Sequence, residues 1–381
     1  MRPSVYLAAA TLAFAASASA APSDAAPPDA AASSDERTRE ASFAVVPGPF
    51  YNPSLGLGLM VMPMVMFHLD ADDEVSPTSV AMLNGLYAVN PPFDQASTRS
   101  SWFAGGGGRL YLDEDRWRVQ VFAAYLDLFQ QYYGIGGSTS SSALFDYRMG
   151  GALLFTQVLR QVGWKELYLG ALVGYTAFRA RTDDPANQQI LEHLGTGADW
   201  TGQPNLGLAA QYDTRNSQYY PSAGVDLNLR VNGSVDSAAQ YLVLAPSLNQ
   251  YFALSGEDRV VLAYRVFAQL GFGELPLGSY AKYGQRGTTL GYTTGEYMDK
   301  MMGGVEAEVR WLAFGRVGLE GGAGVGKVFP DLDHFGAQPW LPGVWGSVTY
   351  QIMQKQDIRA RVTLAEGKGG GAFYFAVGQN F

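Results

Sequence analysis

An all-β fold, a transmembrane antiparallel β-barrel, is what the sequence predicts, and three observations lead to it. Charged residues make up only 16% of the chain, whereas soluble domains carry about 25%. No stretch reaches the roughly 20 apolar residues of a membrane helix, and the mean hydropathy is −0.04. Many segments of roughly ten residues alternate apolar and polar side chains, as strands do between lipid and a polar lumen. A large soluble β-sandwich or propeller is the alternative.

The N-terminal region predicts export to the cell envelope. Residues 1–20 combine a basic residue, an apolar run and small residues before a cleavage site near Ala20, which together indicate a signal peptide. Residues 21–40 are rich in Ala, Pro, Asp and Ser and predict a disordered periplasmic spacer, too short for a folded domain. The predicted barrel therefore comprises residues 41–381, in the outer membrane of a Gram-negative bacterium.

Composition and motifs predict neither an enzyme nor a cofactor. The chain has no cysteine, which excludes disulfides and thiolate metal sites. Its three histidines are scattered, and neither a Gly-x-Ser-x-Gly elbow nor a His-Glu-x-x-His pair is present. No catalytic, cofactor or metal residue is assigned. The net charge of −9 argues against a nucleic-acid partner.

The alternating segments predict fifteen strands. They are 54–69, 78–90, 100–112, 116–131, 143–159, 164–180, 201–214, 224–234, 238–254, 258–273, 301–314, 316–327, 342–354, 357–367 and 371–381. Barrels of this kind usually have an even number of strands, because both chain ends lie on one side. We therefore interpret 41–53 as either the missing first strand or a segment that threads the lumen. Sixteen strands is the preferred count, with fourteen as the alternative.

Alternation also predicts which charges face the lumen. The predicted lumen-facing charges are Asp226, Arg230, Arg265, Glu306, Glu308, Arg310, Arg359 and Arg361. They could line a polar pore, or they could neutralise one another in a small, partly plugged lumen. The second interpretation is preferred.

The last predicted strand, "GAFYFAVGQNF", ends the barrel. Its alternating residues Phe373, Phe375 and Val377, with the terminal Phe381, resemble the signal by which the barrel assembly machinery recognises its clients.

Three stretches resemble the BamA/TamA family of the bacterial surface antigen superfamily. "YDTRNSQYYPSAG" (212–224) is similar to its periplasmic turn, and "YGIGGSTSSSALFDYR" (133–148) to a glycine-rich loop common in its members. "LGYTTGEYMDK" (290–300) resembles the family's sixth extracellular loop, and five predicted strands follow it. The turn residues that match are Asp213, Thr214, Arg215, Pro221 and Gly224. The loop positions are Leu290, Gly291, Tyr292, Gly295, Tyr297, Asp299 and Lys300.

The resemblance implies a loop that folds back into the lumen. In the family an Arg of this loop pairs with an Asp on a later strand. Here Leu290 stands at the Arg position and Gly324 at the Asp position, so the sequence predicts that the ion pair is lost or rewired. Arg286 is the candidate substitute cation.

The resemblance also implies a function. Family members insert barrels into the outer membrane or move polypeptides across it, and this chain resembles the form that lacks periplasmic domains. Such activity would need an unclosed seam between 41–69 and 371–381, where Pro63 could weaken pairing. The alternatives are a passive or selective pore, and a surface barrel that binds partners through loops 181–200 and 328–341. The expected partners are outer-membrane lipid, the barrel assembly machinery and a separate periplasmic protein.

Overall fold

A computed structural model describes most of the predicted barrel. The described residues are 5–7, 41–52, 55–90, 99–139, 142–236, 239–284, 288–354, 356–368, 370–379 and 381. Apart from 5–7, the predicted signal peptide and spacer lie outside these ranges, and so does Arg286.

Sixteen long strands form one sheet. In chain order they are β1 (Ser42–Asn52), β2 (Gly56–Phe67), β3 (Ser79–Asn90), β4 (Arg99–Leu112), β5 (Trp117–Tyr132), β6 (Phe145–Gln161), β7 (Leu167–Arg181), β8 (Thr201–Asp213), β9 (Gly224–Asp236), β10 (Ala239–Ala253), β11 (Val260–Gly273), β12 (Met301–Phe314), β13 (Val317–Phe329), β14 (Leu341–Met353), β15 (Ile358–Gly367) and β16 (Gly370–Val377).

Each strand pairs antiparallel with its sequence neighbours, which makes a nearly closed barrel. The β5–β6 pair illustrates the regularity, since its register runs without a break from Trp117↔Arg160 to Tyr132↔Phe145. The exception is the junction of β16 with β1, which we call the seam. β16 packs against β1, but no paired register joins the two strands within the described residues. A three-residue strand, Val5–Leu7, instead pairs in parallel with Gly371–Phe373.

The structure decides between the alternatives left open by the sequence. The predicted segment 41–53 is the barrel strand β1, so the lumen-threading interpretation and the count of fourteen are wrong. The predicted last strand, 371–381, is too long, because β16 ends at Val377. Gly378 then adopts a φ of +81°, which redirects the chain, and Phe381 packs against buried Tyr251 and Ala263 inside the barrel.

The barrel is apolar outside and charged inside. On β12, Val305 and Val309 are 48% and 44% exposed, whereas Glu306, Glu308 and Arg310 are 5%, 1% and 0% exposed. A soluble protein has the opposite arrangement, because its charged groups face water. Lipid therefore takes the place of water around the outer face.

The two ends of the barrel differ in their connections. The end that carries Ser42 and Val377, here the terminal end, has short turns such as 113–116. The opposite end carries the long connections 133–144, 182–200, 274–300 and 330–340. One of them contains helix α1 (Pro185–His193), which is capped by the Asp184 carboxylate accepting from the Ala186 N–H. The remaining short elements are 3-10 turns at Gly256–Asp258, Leu277–Ser279 and Phe335–Ala337, and strands at Ala281–Tyr283 and Tyr297–Asp299.

Among the described residues, no helix has both the length and the apolar character needed to cross a membrane.

An arginine on the lipid-facing side should destabilise the barrel. Val348, near the middle of β14, is 54% exposed, and we expect Val348→Arg to cost about 2–4 kcal/mol of unfolding free energy in a bilayer. Val75, in the connection 68–78, is 64% exposed, and Val75→Arg should cost at most about 1 kcal/mol. Urea titration in lipid vesicles, followed by tryptophan fluorescence, measures both. Equal losses would contradict a lipid-facing β14.

Candidate functional site

The connection 274–300 between β11 and β12, which we call the lumen loop, folds into the barrel. Its two short strands pair Ala281 with Asp299 and Tyr283 with Tyr297. The loop starts and ends side by side, because the Gly271 N–H donates to the Lys300 carbonyl at 3.0 Å. The prediction of a sixth loop folded toward the lumen is confirmed.

Three tyrosines form the core of the lumen loop. The Tyr292 ring centroid lies 5.2 Å from that of Tyr283 and 5.5 Å from that of Tyr297, in both cases edge to face. The Tyr283 hydroxyl donates to the Leu341 carbonyl at 2.9 Å, and the Tyr292 hydroxyl donates to the Pro342 carbonyl. Edge-to-face pairs add about 0.5–1.5 kcal/mol each beyond area burial. The loop is therefore held to the start of β14 by apolar packing and by hydrogen bonds.

The tip of the lumen loop crosses a path of glycines on β13–β15. Gly291 has a φ of +99°, and a Cβ there would lie 2.6 Å from the Gly367 nitrogen. A Cβ on Gly367 would in turn lie 2.5 Å from the Gly291 carbonyl oxygen. The Gly291 N–H donates to the Tyr374 hydroxyl at 2.9 Å. Only residues without a side chain permit this backbone-to-backbone contact.

The two positions at which the family carries its ion pair hold uncharged residues here, although a Cβ on Gly324 would also lie 2.9 Å from the Cγ of Glu306. Leu290 is buried with Trp345 and Ala365. Gly324 faces the neighbouring Thr289, whose Oγ1 would lie 2.8 Å from a Cβ at position 324. Leu290 and Gly324 therefore cannot form an ion pair, and Arg286 lies outside the described residues.

The rest of the loop motif closes the loop on itself. Gly295 turns the chain with a φ of +81°. The Lys300 ammonium lies 3.5 Å from the Gly273 carbonyl oxygen, at the base of the loop. Asp299 and the neighbouring Glu296, which the sequence did not single out, are both buried. Burial raises the pKa of Asp299 and of Glu296 above the ordinary values.

The glycine-rich stretch in 133–148 packs on the lumen loop. The Gly136 N–H donates to the Met298 carbonyl at 2.8 Å, and the Thr139 hydroxyl donates to the Glu296 carbonyl at 2.6 Å. Both stretches that resemble the family's loops therefore meet at the end opposite the chain termini.

The turn 214–223, which we call the terminal turn, is fixed by a buried ion pair. The Arg215 guanidinium donates to both oxygens of Asp213, from Nε at 2.8 Å and from Nη2 at 3.0 Å. Asp213 also accepts from Arg118 of β5 at 2.7 Å. Gly224, with a φ of +103°, passes so close to Thr214 that a side chain would collide with its carbonyl. Two of the turn residues that match the family, Asp213 and Arg215, thus form an ion pair.

The terminal turn also crosses the mouth of the barrel, which the sequence did not predict. The Tyr219 hydroxyl donates to the Thr78 carbonyl at 2.6 Å. Elsewhere on the barrel wall, Arg310 of β12 lies 3.5 Å from the Pro221 carbonyl oxygen, and Arg359 of β15 stacks on the Tyr220 ring at 4.5 Å. The lumen thus holds the lumen loop near one end and the terminal turn at the other.

The predicted lumen charges on β12 and β15 are paired except for Glu306, which lies opposite Arg265 across β11 and β12 and forms no ion pair among the described residues. Glu308 accepts from the Arg310 Nε at 2.9 Å and from the Trp345 indole at 2.8 Å. Arg361 lies 3.5 Å from Glu320, a carboxylate that the sequence analysis overlooked in the glycine-rich β13. This arrangement favours mutual neutralisation over an open pore lining. Arg359 lies 3.0 Å from Asp357, whereas Asp226, Arg230 and Arg265 lie on a different wall, on β9 and β11.

The seam is packed by side chains. Phe375 pairs with the exposed Val362 of β15, so it belongs to the outward face of β16. Nevertheless its ring packs with the inward-facing Ala44 and Val46 of β1 and would lie 3.1 Å from a Cβ on Gly48. β16 therefore lies on the inner side of β1 at the seam.

Two prolines weaken the pairing capacity of β1. Pro47 and Pro49 are two residues apart, so their nitrogens point to the same side of the strand, and neither can donate a hydrogen bond. Proline in a sheet is largely confined to edge strands. Pro63, the residue suspected from the sequence, lies in β2, opposite Val45, and does not border the seam. Two prolines in one short alternating segment therefore indicate, from the sequence alone, a strand at the edge of a sheet.

Sixteen strands with an apolar exterior and a charged, occupied lumen define a transmembrane β-barrel of the outer-membrane kind. The Omp85 superfamily domain matches residues 101–309, more than half of the chain. The chain belongs to the Omp85 superfamily. No curated protein sequence matches it.

Solved structures with the same fold are distant in sequence. BamA from Haemophilus ducreyi, in a form lacking POTRA domains 1–3, superimposes with a TM-score of 0.57 at 13% identity, over 89% of this chain and 70% of that one. CdiB from Escherichia coli gives 0.54 at 11% identity, over 86% and 58%. CdiB from Acinetobacter baumannii gives 0.53 at 12% identity, over 90% and 66%. The chain thus spans less than two thirds of each CdiB.

A charge at the tip of the lumen loop should loosen the loop. Leu290→Arg would bury a guanidinium against Trp345 and Ala365, and an uncompensated buried charge costs about 3–5 kcal/mol. Leu290→Met conserves volume and should cost less than about 1.5 kcal/mol. Because Gly324 faces Thr289, adding Gly324→Asp should not restore stability. Thermal unfolding in detergent measures all three variants. If Leu290→Arg unfolds at the same temperature as the unmodified protein, apolar packing does not hold the tip of the loop.

The stability of the lumen loop should depend on pH through Glu296. Burial outweighs the hydrogen bonds from Thr293 and Tyr297 and raises the pKa of Glu296 above its ordinary 4.5. Ionisation of Glu296 therefore lowers the free energy of unfolding. This loss is absent at acid pH and grows as the pH rises above 4.5. Glu296→Gln should slow hydrogen exchange of the Gly136 amide at pH 7 and leave it unchanged at pH 4. The exposed Glu192 on α1 supplies the control, Glu192→Gln, which should have no effect at either pH.

Proposed function

We propose that this barrel handles polypeptides at its seam and assists the insertion of outer-membrane proteins or the translocation of polypeptides. The observation that carries the proposal is the seam itself, the one junction without a paired register in the part of the sheet that the structure describes. An exposed strand edge binds an incoming strand through main-chain hydrogen bonds.

The composition of the two seam strands supports this proposal. Pro47 and Pro49 leave gaps in the donor row of β1, so a complete ladder between β1 and β16 would be weak. The edge of β16 already accepts another extended segment, Val5–Leu7. If the predicted signal peptide is removed, that edge becomes available to another chain.

The contents of the lumen argue against the passive pore. The lumen loop and the terminal turn both lie within the barrel, and the charges of β12 and β15 neutralise one another. A steady, large single-channel conductance of the unmodified barrel in a planar bilayer would favour the pore instead.

The proposed partners follow from the same site. They are outer-membrane lipid around the barrel, client polypeptides with β-strand character at the seam, the barrel assembly machinery during biogenesis, and a separate periplasmic protein that delivers clients. The proposed activity is not enzymatic, since strand addition breaks no covalent bond.

A cross-link across the seam should abolish the proposed activity. The chain has no cysteine, so Gly48→Cys with Phe375→Cys introduces a unique thiol pair that a short, cleavable linker can join. We expect the cross-linked protein, reconstituted in liposomes, to lose its stimulation of the insertion of an unfolded barrel protein, and cleavage of the linker to restore it. Gel mobility of the heated and unheated client measures insertion.

The matched control pair joins β16 to its other neighbour. Leu364 and Phe373 face each other across β15 and β16, and linking cysteines at these positions leaves the seam free. Insertion should then proceed at the rate of the unmodified barrel. Unchanged activity with a linked seam would overturn the proposed site, and no activity in any form would overturn the insertion function.

A further inference from the structure

A cavity of about 450 Å³ lies in the lumen beside the terminal turn. Its walls include residues of the turn and of the chain end, such as Gln218, Tyr219 and Phe381. They extend to Phe267 and Met302, which pack in the core of the lumen loop. The volume is within the range of small-molecule sites, about 300–1,000 Å³.

The cavity is strongly basic in an acidic protein. The whole chain has 35 acidic residues against 26 basic ones. The charged residues that line the cavity are Arg109, Arg118, Arg215, Arg230, Arg265 and Asp226. Five guanidinium groups thus face a single carboxylate, the reverse of the overall balance.

Two of the five arginines have structural ion pairs. Arg118 lies 2.6 Å from Asp115 and 2.7 Å from Asp213. Arg215 lies 2.8 Å from Asp213 and 3.7 Å from Asp226. Asp213 and Asp226 are therefore engaged on the side of the terminal turn. A further carboxylate, Glu306, lies opposite Arg265 across β11 and β12, but the two form no ion pair among the described residues.

Arg230 and Arg265 are not satisfied in this way. Neither guanidinium donates a hydrogen bond to any described residue, and the Nε of each is buried without an acceptor. Arg265 stacks on the Phe267 ring at 5.0 Å, which satisfies no N–H group. Buried charges normally have a hydrogen-bonded partner, because leaving one unpaired costs several kcal/mol.

A third arginine increases the excess of positive charge. Arg109 lies close enough to Arg230 and to Arg215 for their like charges to repel. An anion placed among these groups would relieve the repulsion and supply the missing acceptors. Guanidinium groups match phosphate with two parallel N–H···O bonds.

The cavity also has an apolar wall. Leu159, Val119, Pro246 and Phe267 line it, so a bound molecule can carry an uncharged part beside its anionic group. The strands separate this wall from lipid, which favours a ligand that enters from water.

We infer that this cavity binds a small, water-soluble phosphate compound, held by Arg230, Arg265 and Arg109. The site is distinct from the seam and does not depend on the proposed function. Isothermal titration of the refolded full-length barrel with inorganic pyrophosphate, at constant ionic strength, tests it. We expect saturable binding, and none of acetate, since screening by salt is the same in both titrations.

Substitution of the unpaired arginines identifies the site. The double variant Arg230→Gln, Arg265→Gln should weaken pyrophosphate binding at least about tenfold, because it removes the charge-assisted hydrogen bonds from both guanidinium groups to the phosphate. Arg116→Gln makes the same change on an exposed turn and should leave binding unchanged. Equal affinity in the double variant, or no binding to the unmodified barrel, would overturn the inference.

The melting temperature separates binding from a structural role. If these arginines serve only the fold, the double variant should unfold at a lower temperature without any ligand. If they form the site, ligand-free stability should be kept while the rise in melting temperature with pyrophosphate is lost. Should the double variant not fold, Arg230→Lys and Arg265→Lys keep the charge, lose the bidentate geometry and should bind more weakly. If short-chain phosphatidylglycerol displaces pyrophosphate, the cavity binds phosphate groups as inferred. The inference that the ligand is water-soluble would then be wrong.

Discussion

The fold depends on one constraint, which is that hydrocarbon offers no hydrogen-bond partner to the backbone. A sheet can satisfy this constraint only by curling until its ends meet. The alternation of the strands then sorts the side chains, so that Val305 and Val309 face lipid while Glu308 and Arg310 face inward. The lumen becomes the only place for charge at membrane depth, and many of the charges there pair with one another. The paired interior, the packed loop and the arginine-lined cavity all follow from this sorting.

The strands were predictable from the sequence because their signal is local. Period-two alternation located fifteen strands, and the rule of even strand number made 41–53 the candidate for the remaining one. The prediction was wrong at the chain end, where alternation continues through 371–381 but β16 stops at Val377. There Gly378 turns the chain, and Phe381 packs against buried Tyr251 and Ala263. These residues are far from Phe381 in the sequence, so local periodicity cannot predict the contact.

The functional regions were less predictable, since they depend on contacts between distant segments. The sequence pointed to Leu290 and Gly324 as the places where an ion pair is missing, but not to what replaces it. In place of the ion pair, the loop packs on Trp345, Ala365 and glycines of β13, β14 and β15. This packing requires residues from several strands to lie at the same height in the barrel. Pro47 and Pro49 were visible in the sequence, yet their meaning depends on β1 being the strand at the seam. Likewise, no local pattern reveals that Arg230 and Arg265 share one cavity.

The terminal turn acts as a cross-brace. It is tied to Thr78 beside β3, to Arg310 of β12 and to Arg359 of β15, so contacts that do not belong to the sheet connect separate parts of the barrel wall at that end. Strands β1 and β16 can separate there only if the brace shifts. At the opposite end the lumen loop makes a second tie, from Gly136 of the β5–β6 connection to Tyr374 of β16. Any widening of the barrel must therefore release the terminal turn at one end and the lumen loop at the other.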